Sequence, residues 1–213
     1  MIYDICYFLL KLVSHLFFRL RVMGRENVPI TGPVILASNH VSYLDPIFLG
    51  VSLPRRINYM AKDEIFRNRL FFWFLSKLQA FPVSRQRVGP STIKRTLQLM
   101  KKGKALLLFP EGTRGDGREL QKARPGIGNI AEKSKAPVIP VYIQGAGRVL
   151  PRGSFLIRLH QVTVCFGPPL ISSLSSPQTV EANATGSGNF SEQVMAGIRN
   201  LRKNLEADRE IPC

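Results

Sequence analysis

The sequence predicts an α/β fold in which helices cover a mixed, mostly parallel sheet. Two observations support this prediction. Continuously apolar runs, such as residues 33–38 (PVILAS) and 104–109 (KALLLF), are typical of strands buried on both faces. Segments of helical character alternate with these runs, and such alternation favours a layered α/β arrangement.

The individual elements follow from local signals along the chain. Asp45-Pro46 predicts a helix start with Asp as the N-cap. Pro140 suggests that its strand is at an edge or contains a bulge. Helices are predicted over residues 45–52, 64–78, 91–102, 127–135 and 191–206. Strands are predicted over residues 33–38, 57–61, 80–83, 104–109, 138–143, 155–160 and 161–166.

Residues 1–22 are predicted to form an amphipathic helix at a membrane interface. Residues 5–18 are strongly apolar but fall short of the ~20 residues that a spanning helix needs. At about 100° per residue, the polar side chains fall on one narrow stripe, which consists of Asp4, Lys11, His15 and Arg19. A helix packed on the domain and a tilted span are the alternatives.

The remaining chain divides into three predicted parts. Residues 23–170 form the α/β domain, since 213 residues suffice for one well-cored domain. Residues 171–190 are rich in Ser, Ala, Gly, Asn and Thr, which predicts a flexible linker. Residues 191–213 are predicted to form a basic C-terminal helix and tail.

The charge of the chain indicates an anionic partner. Lys and Arg number 30 against 14 Asp and Glu, a formal net charge of +16 at pH 7. No zinc-ligand spacing and no aromatic RNA-binding signature accompanies the charge, so a membrane surface or a phosphorylated substrate is favoured over nucleic acid. The three cysteines have no paired spacing, which argues against a disulfide framework or a Cys metal site.

Two polar motifs directly follow predicted strands. Residues 39–46 (NHVSYLDP) contain a base and a nearby carboxylate, and residues 109–114 (FPEGTR) contain a Gly-Thr turn, a cation and a carboxylate. Strand ends are where ligands bind in open α/β sheets. Together these residue types suggest acyl transfer onto a phosphate-bearing alcohol.

In the first motif, His40 is the candidate general base. An imidazole can take the proton of an alcohol near pH 7, and a carboxylate on the other ring nitrogen fixes the tautomer. The turn between strand and helix allows Asp45 to fold back onto His40. The alternatives are that Asp45 only caps its helix and that His40 is a hydrogen-bonded loop residue.

In the second motif, Arg114 is the candidate phosphate ligand, because a guanidinium can hold a phosphate bidentately. Gly112 allows the backbone to lie close to a ligand, and Thr113 offers a hydroxyl. The alternative is a glycine turn with a surface ion pair. Residues 145–148 (GAGR) are predicted to be a tight turn, without a following helix, rather than a nucleotide site.

Residues 70–75 (LFFWFL) form an apolar run flanked by Arg67, Arg69 and Lys77. Cations around an aromatic patch suit the headgroup boundary of a membrane, and the run could also line a slot for an acyl tail. A buried helix packed on the sheet is the alternative.

The chain resembles the glycerolipid acyltransferases that acylate 1-acylglycerol-3-phosphate, from about Gly24 to Pro168. The resemblance rests on four blocks in the family's order. These are His40 with Asp45, residues 62–64 closing on residues 81–85, residues 110–114, and residues 138–141.

The resemblance implies a reaction and a set of roles. A fatty acyl group moves from acyl-CoA or acyl carrier protein, as co-substrate, to the 2-hydroxyl of lysophosphatidic acid, with no metal or resident cofactor. His40 and Asp45 are the catalytic residues. The residues implied to bind the acceptor are Glu111, Gly112, Thr113, Arg114, Arg85, Lys62 and Arg124. Glu111 would either hold Arg114 in place or contact a hydroxyl of the acceptor.

Other functions compete with this reading. Glycerol-3-phosphate or a lyso-aminolipid could replace the acceptor, and a non-catalytic lipid-surface protein would explain the charge and the apolar N-terminus. We expect association with an anionic membrane surface at its cytoplasmic face, in a bacterium the inner membrane.

Overall fold

A seven-stranded sheet organises the computed structural model, which describes residues 2–62, 72–73, 79–83, 90–124, 126–172 and 186–210. Within these residues the elements in chain order are α1 (Ile2–Phe18), β1 (Arg21–Met23), a 3₁₀ turn (Arg25–Asn27), β2 (Val34–Ser38), α2 (Asp45–Ser52), β3 (Ile57–Lys62), β4 (Ala80–Val83), α3 (Pro90–Lys101), β5 (Ala105–Leu108), α4 (Gly126–Ser134), β6 (Val138–Gln144), α5 (Ala146–Val149), β7 (Thr163–Phe166) and α6 (Gly186–Glu210). The predicted mixed α/β class is confirmed.

The strand directions bring several chain segments to one edge of the sheet. The order is β1-β7-β6-β2-β5-β3-β4, and β6, β2, β5, β3 and β4 are parallel to one another. β7 is antiparallel to β6, and β1 is parallel to β7. We call the edge at which β2, β5 and β6 end the upper edge, and the edge at which they begin the lower edge.

The core lies on both faces of the sheet. Successive side chains of a strand point to opposite faces. Val34 and Leu36 of β2 therefore pack with α1 and α2 on one face, whereas Ile35 and Ala37 pack with α3, α4 and α6 on the other. Burial on both faces explains why β2 and β5 are continuously apolar in sequence.

Helix α1 packs on the domain through one stripe and exposes an apolar surface on the opposite side. Tyr7, Leu10, Ser14 and Phe18 face the domain, and the Tyr7 hydroxyl donates to Leu53 O at 3.0 Å. The exposed apolar side chains are Ile5, Phe8, Leu9, Leu12, Val13, Leu16 and Phe17. Packing alone therefore does not account for the composition of α1. Within the described ranges, no helix is both long and apolar enough to cross a bilayer.

The structure corrects the predicted ends of the domain. Residues 21–22 are not part of the N-terminal helix, because α1 ends at Phe18 and β1 pairs with β7. Helix α6 begins at Gly186 rather than at residue 191, so residues 186–190 of the predicted linker are helical. Residues 173–185 of that linker lie outside the described residues.

The segment before β7 is also different from its prediction. Residues 155–160 do not form a strand, and β7 begins only at Thr163, where it pairs with Gln144. The backbone N–H of Arg158 instead donates to Val149 O at 2.8 Å. A short helix, α5, follows Gly145, where a plain turn was predicted. Hydrophobicity alone suggested strands here, but pairing geometry decides where a ladder starts.

Pro140 lies in an interior strand, which corrects the predicted edge, whereas the pairing beside it contains the predicted bulge. β6 is placed between β7 and β2. The paired register with β7 stops at Val141, and beyond it Gly167 N donates to Pro140 O at 2.8 Å. Val138 is bridged to Leu170, so two residues of β6 lie opposite three residues of the other strand, and the missing N–H of proline falls at this irregular step.

Gly145→Ala is expected to destabilise the fold more than Gly153→Ala. Both glycines have positive φ, +88° and +82°, which costs an L residue about 1–2 kcal/mol. A Cβ at Gly145 would also lie 2.0 Å from Gln161 O, whereas nothing lies within 4 Å at Gly153. We expect a further loss of about 1–3 kcal/mol at Gly145. Urea unfolding of both variants measures the difference, and equal losses would contradict it.

Candidate active site

His40 and Asp45 meet at the upper edge. The chain leaves β2 at Ser38 and turns into α2 at Asp45, and the turn brings His40 Nδ1 to 2.8 Å from Asp45 Oδ2. Because a carboxylate accepts, the ring donates from Nδ1. The side chain of Asp45 is fully buried and that of His40 is 18% exposed. One ring face stacks on Phe109, with centroids 3.9 Å apart.

Asp45 shapes the whole turn as well as the histidine ring. The same Oδ2 atom accepts the backbone N–H of Val41 at 2.7 Å and of Ser42 at 2.8 Å. The N-cap of α2 is Leu44, without a side-chain cap hydrogen bond, which corrects the predicted capping role of Asp45. The carboxylate points back into the turn, so the residue is better described as an anchor for the ring.

Glu111 connects the second motif to the first. Its Oε1 accepts the backbone N–H of His40 at 3.1 Å, and its Oε2 accepts that of Gln121 at 3.2 Å. Gly115 N donates to His40 O at 2.8 Å. The two motifs are therefore joined through backbone groups, and the Glu111 carboxylate binds the backbone of His40 rather than the side chain of Arg114.

Arg114 lies against the first motif through an aromatic ring. Its guanidinium carbon is 3.4 Å from the centroid of Tyr43, an arrangement that favours a cation–π interaction. Sequence reasoning missed Tyr43, although an exposed aromatic side chain within a polar motif was a signal for it. The stacked guanidinium leaves its edge available for bidentate hydrogen bonds.

Gly112, Thr113 and Arg124 lie together in the adjoining loop. Gly112 has φ +71°, a conformation that favours glycine, and the Arg124 side chain lies against it, with Nε 2.6 Å from the position that a Cβ would take. Arg124 N donates to Pro110 O at 2.9 Å, and Thr113 Oγ1 donates to Gln121 Oε1 at 3.2 Å. All three predicted residues are thus close to Arg114.

The other two predicted cations are located only in part. Lys62 is the last residue of β3, in register with Val83 of β4, and both strands end at the upper edge. Arg85 lies outside the described residues, as does the aromatic run 70–75 except Phe72 and Trp73. Both of those side chains are exposed.

Asn39 and Ser42 have structural roles beside the base. Asn39 Nδ2 donates to Ile143 O at 3.0 Å, and its Oδ1 accepts Ile143 N at 2.8 Å, which joins the ends of β2 and β6. The Ser42 hydroxyl donates to Leu150 O at 3.1 Å. A polar residue at the end of an apolar run was the available signal for Asn39.

A cleft of about 360 Å³ opens next to the motifs. Asn39, Val41 and Glu111 line it at one end, and it continues to Arg148 and Arg202. The side chains of His40, Asp45 and Arg114 are not part of its lining, so the cleft borders the two motifs without opening onto the His40–Asp45 pair. Within the described part of the chain, no three His, Cys, Asp or Glu side chains are grouped as a metal site requires.

Glu111→Gln is expected to remove a pH dependence of stability. Burial raises the pKa of the Glu111 carboxyl above 4.5, against the lowering effect of the His40 and Gln121 N–H groups. The stabilisation linked to this raised pKa is present below about pH 4.5 and is lost as the pH rises through the folded-state pKa. Relative to wild type, the variant should therefore become more stable from about pH 4 to about pH 7.

Urea unfolding at both pH values measures this change. The exposed Glu119 provides the control Glu119→Gln. If Glu111→Gln instead lost stability relative to wild type as the pH rose, the pKa of Glu111 would be lowered rather than raised by folding, and the prediction would be wrong.

Comparison with known families gives the class of protein to which the chain belongs. A family model described as Acyltransferase matches residues 19–144, more than half of the chain. The chain belongs to this acyltransferase family, as its four sequence blocks indicated.

Individual relatives have a common name. The chain is 37% identical to the 1-acyl-sn-glycerol-3-phosphate acyltransferase of Bacillus subtilis over 169 residues, 79% of this chain and 82% of that protein. It is 31% identical to chloroplastic LPAT1 of Arabidopsis thaliana, over 79% of this chain and 48% of that protein. The chain thus spans about half of the plant relative.

A solved structure has the same fold. The crystal structure of the 1-acyl-sn-glycerophosphate (LPA) acyltransferase PlsC from Thermotoga maritima matches with a TM-score of 0.74 and 23% identity. The match covers 94% of this chain and 79% of that chain. At this identity the likeness supports the fold alone.

Proposed function

We propose that this protein transfers a fatty acyl group from an acyl thioester to the sn-2 hydroxyl of 1-acylglycerol-3-phosphate, giving phosphatidic acid for phospholipid synthesis. The observation that carries the proposal is the His40–Asp45 pair, fastened through Glu111 to the loop that contains Arg114. The names of the relatives from Bacillus and Arabidopsis support the choice of acceptor.

His40 acts as the general base in this reaction. Its Nδ1–H is directed to Asp45, which leaves Nε2 to take the proton of the acceptor hydroxyl. The hydroxyl oxygen attacks the thioester carbonyl, and the tetrahedral intermediate collapses with cleavage of the C–S bond. The imidazolium returns the proton to the leaving thiolate, so no Ser or Cys nucleophile is needed.

The acceptor binds beside this base. Arg114 holds the phosphate, while the loop of Gly112 and Thr113 approaches the glycerol. Arg124, adjacent to Gly112, adds a second cation. Lys62 and Arg85, at and beyond the ends of β3 and β4, complete the acceptor cations in this proposal.

Arg114→Ala is expected to raise the KM for the acceptor by about 10- to 100-fold, with a smaller change in kcat. Hydrogen bonds to a charged group contribute about 1.5–3 kcal/mol, and each 1.4 kcal/mol is tenfold in affinity. Initial rates at varied acceptor concentration measure both constants.

The exposed Arg25 provides a matched control. It follows β1, which ends at the lower edge, away from the site. Arg25→Ala removes the same charge and should leave the KM unchanged. An equal rise in both variants would attribute the effect to net charge rather than to acceptor binding.

The thioester is a co-substrate, either acyl-CoA or acyl carrier protein, and the proposed reaction needs no metal or resident cofactor. Membrane association at the cytoplasmic face, the inner membrane in a bacterium, is part of the proposal. It is supported by the exposed apolar side of α1 and the net charge of +16. A protein at the membrane surface has direct access to this acceptor, because the acceptor is itself a lipid.

Thioester turnover tests the proposal. Purified protein in liposomes receives fatty acyl-CoA or acyl carrier protein with 1-acylglycerol-3-phosphate, and free thiol is followed. Release that depends on the acceptor supports the proposal. Release only with glycerol-3-phosphate or a lyso-aminolipid moves the function to another acceptor, and no release with any pair favours a non-catalytic lipid-surface protein.

A further inference from the structure

The segment between α5 and β7 presents a dense group of apolar side chains to solvent. The exposed fractions are 100% for Phe155, 68% for Leu156, 53% for Ile157 and 72% for Leu159. Contiguous apolar patches of this kind on a soluble surface mark interaction sites. We call residues 155–159 the apolar loop.

The apolar loop lies at the upper edge, beside the proposed active site. It leads into β7, whose first residue, Thr163, pairs with Gln144 at the end of β6. Arg152, just before the loop, donates from Nη1 to Arg114 O at 3.4 Å. A surface bound by this loop would therefore be close to His40.

The chain that leaves the apolar loop also runs beside the C-terminal end of α1. Val162 N donates to Phe18 O at 2.9 Å, and Arg21 N donates to Val162 O at 2.9 Å. Leu16 and Phe17, the last exposed apolar residues of α1, are thus directly beside the chain that leaves the loop. Two apolar surfaces come together at one end of the molecule.

Cations accompany these surfaces. Arg19, Arg148, Arg152 and Arg158 are exposed, and residues 146–163 contain no Asp or Glu. Apolar side chains among arginines match a bilayer with anionic headgroups, since the arginines can remain at the headgroup level while the apolar groups insert.

We propose that the apolar loop is a second membrane-inserting segment, which together with α1 seats the upper edge on an anionic phospholipid bilayer. The proposal rests on the proposed function, and it adds a second contact that fixes the orientation of the site. A single amphipathic helix leaves rotation about its own axis open, whereas the axis of α1 and a second contact away from that axis together define a plane. The lipid acceptor then reaches His40 without leaving the bilayer.

Vesicle flotation with a matched pair of variants tests the insertion. Phe155→Ser/Leu156→Ser removes apolar groups from the loop. Ile30→Ser/Ile171→Ser removes two other strongly exposed apolar groups, near the starts of β2 and β6 at the lower edge. On phosphatidylglycerol vesicles we expect at least a tenfold weaker partition for the loop variant and wild-type partition for the control.

A second measurement does not depend on losing side chains. Trp73 is the only tryptophan, so Phe155→Trp in a Trp73→Phe background gives one reporter in the loop. Its emission should shift to shorter wavelength on vesicles and be quenched by brominated phospholipid. Equal partition of the two serine variants, or an emission that vesicles do not change, would overturn the proposal and favour a protein partner for the loop.

Turnover separates this proposal from the proposed function. The loop variant should match wild type on a short-chain, monomeric acceptor and lose at least tenfold in kcat/KM on a vesicle-borne one. If the wild-type protein turned over neither acceptor, the proposed function would be wrong. The flotation measurement would still show whether the loop inserts into the membrane. A loop variant with wild-type kcat/KM on vesicles would overturn the insertion alone.

Discussion

His40→Ala is expected to reduce acceptor-dependent thiol release by about 10²- to 10⁴-fold, the usual contribution of a positioned general base. The ring is held by Asp45 at 2.8 Å and stacked on Phe109, so its position is already defined before substrate binds. Removal of the ring also removes its hydrogen bond to the buried carboxylate, so thermal unfolding of the same preparation is needed to show that the variant is folded. Free-thiol assays at saturating donor and acceptor measure the loss.

His160 provides the matched control. It also lies at the upper edge, but its ring contacts Arg148 and the carbonyl of Gln161 rather than a carboxylate. His160→Ala should therefore retain turnover. If His40→Ala retained it as well, the acceptor would be deprotonated by another group, and the His40–Asp45 pair would be structural.

The location of the site was predictable because strand ends are encoded locally. Continuous apolar runs identified β2 and β5, and the first polar residues after each run are those that meet at the upper edge. Parallel strands place their carboxyl ends together. His40 and Glu111, 71 positions apart in sequence, therefore come within hydrogen-bond distance.

The hydrogen bonds that join the two motifs were not predictable, because they are made to backbone groups. Nothing in the sequence indicates that Glu111 accepts the N–H of His40, since every residue except proline offers such a donor. The contact of Arg114 with Tyr43 depends on how two loops pass each other. The family resemblance implied that Glu111 either holds Arg114 or contacts an acceptor hydroxyl, whereas tertiary packing places its carboxylate on the backbone N–H groups of His40 and Gln121.

The edges of the fold were hardest to predict for a related reason. β1 is three residues long and exists because β7 offers a partner, which local sequence does not record. The apolar loop has the composition of a strand but lies beyond the point where β6 and β7 pair. Its hydrophobicity needs an explanation other than the core, and a lipid surface provides one.

Asp45→Asn is expected to lower turnover by about 10²-fold or more while keeping the fold. An amide oxygen in place of Oδ2 can still accept the Val41 and Ser42 N–H groups, so the turn is retained. The amide has no charge, and it no longer stabilises the imidazolium that forms when His40 takes the proton. Turnover and urea unfolding of the same preparation separate these two effects.

Asp45→Ala completes the comparison, because it removes the acceptor as well as the charge. The Val41 and Ser42 N–H groups would lose their partner in a buried turn, at a cost of about 1–3 kcal/mol each. We therefore expect lost turnover in both variants but a large loss of stability only in Asp45→Ala. Full turnover in Asp45→Asn would mean that the carboxylate serves the turn alone, and the charge behind His40 would have no part in catalysis.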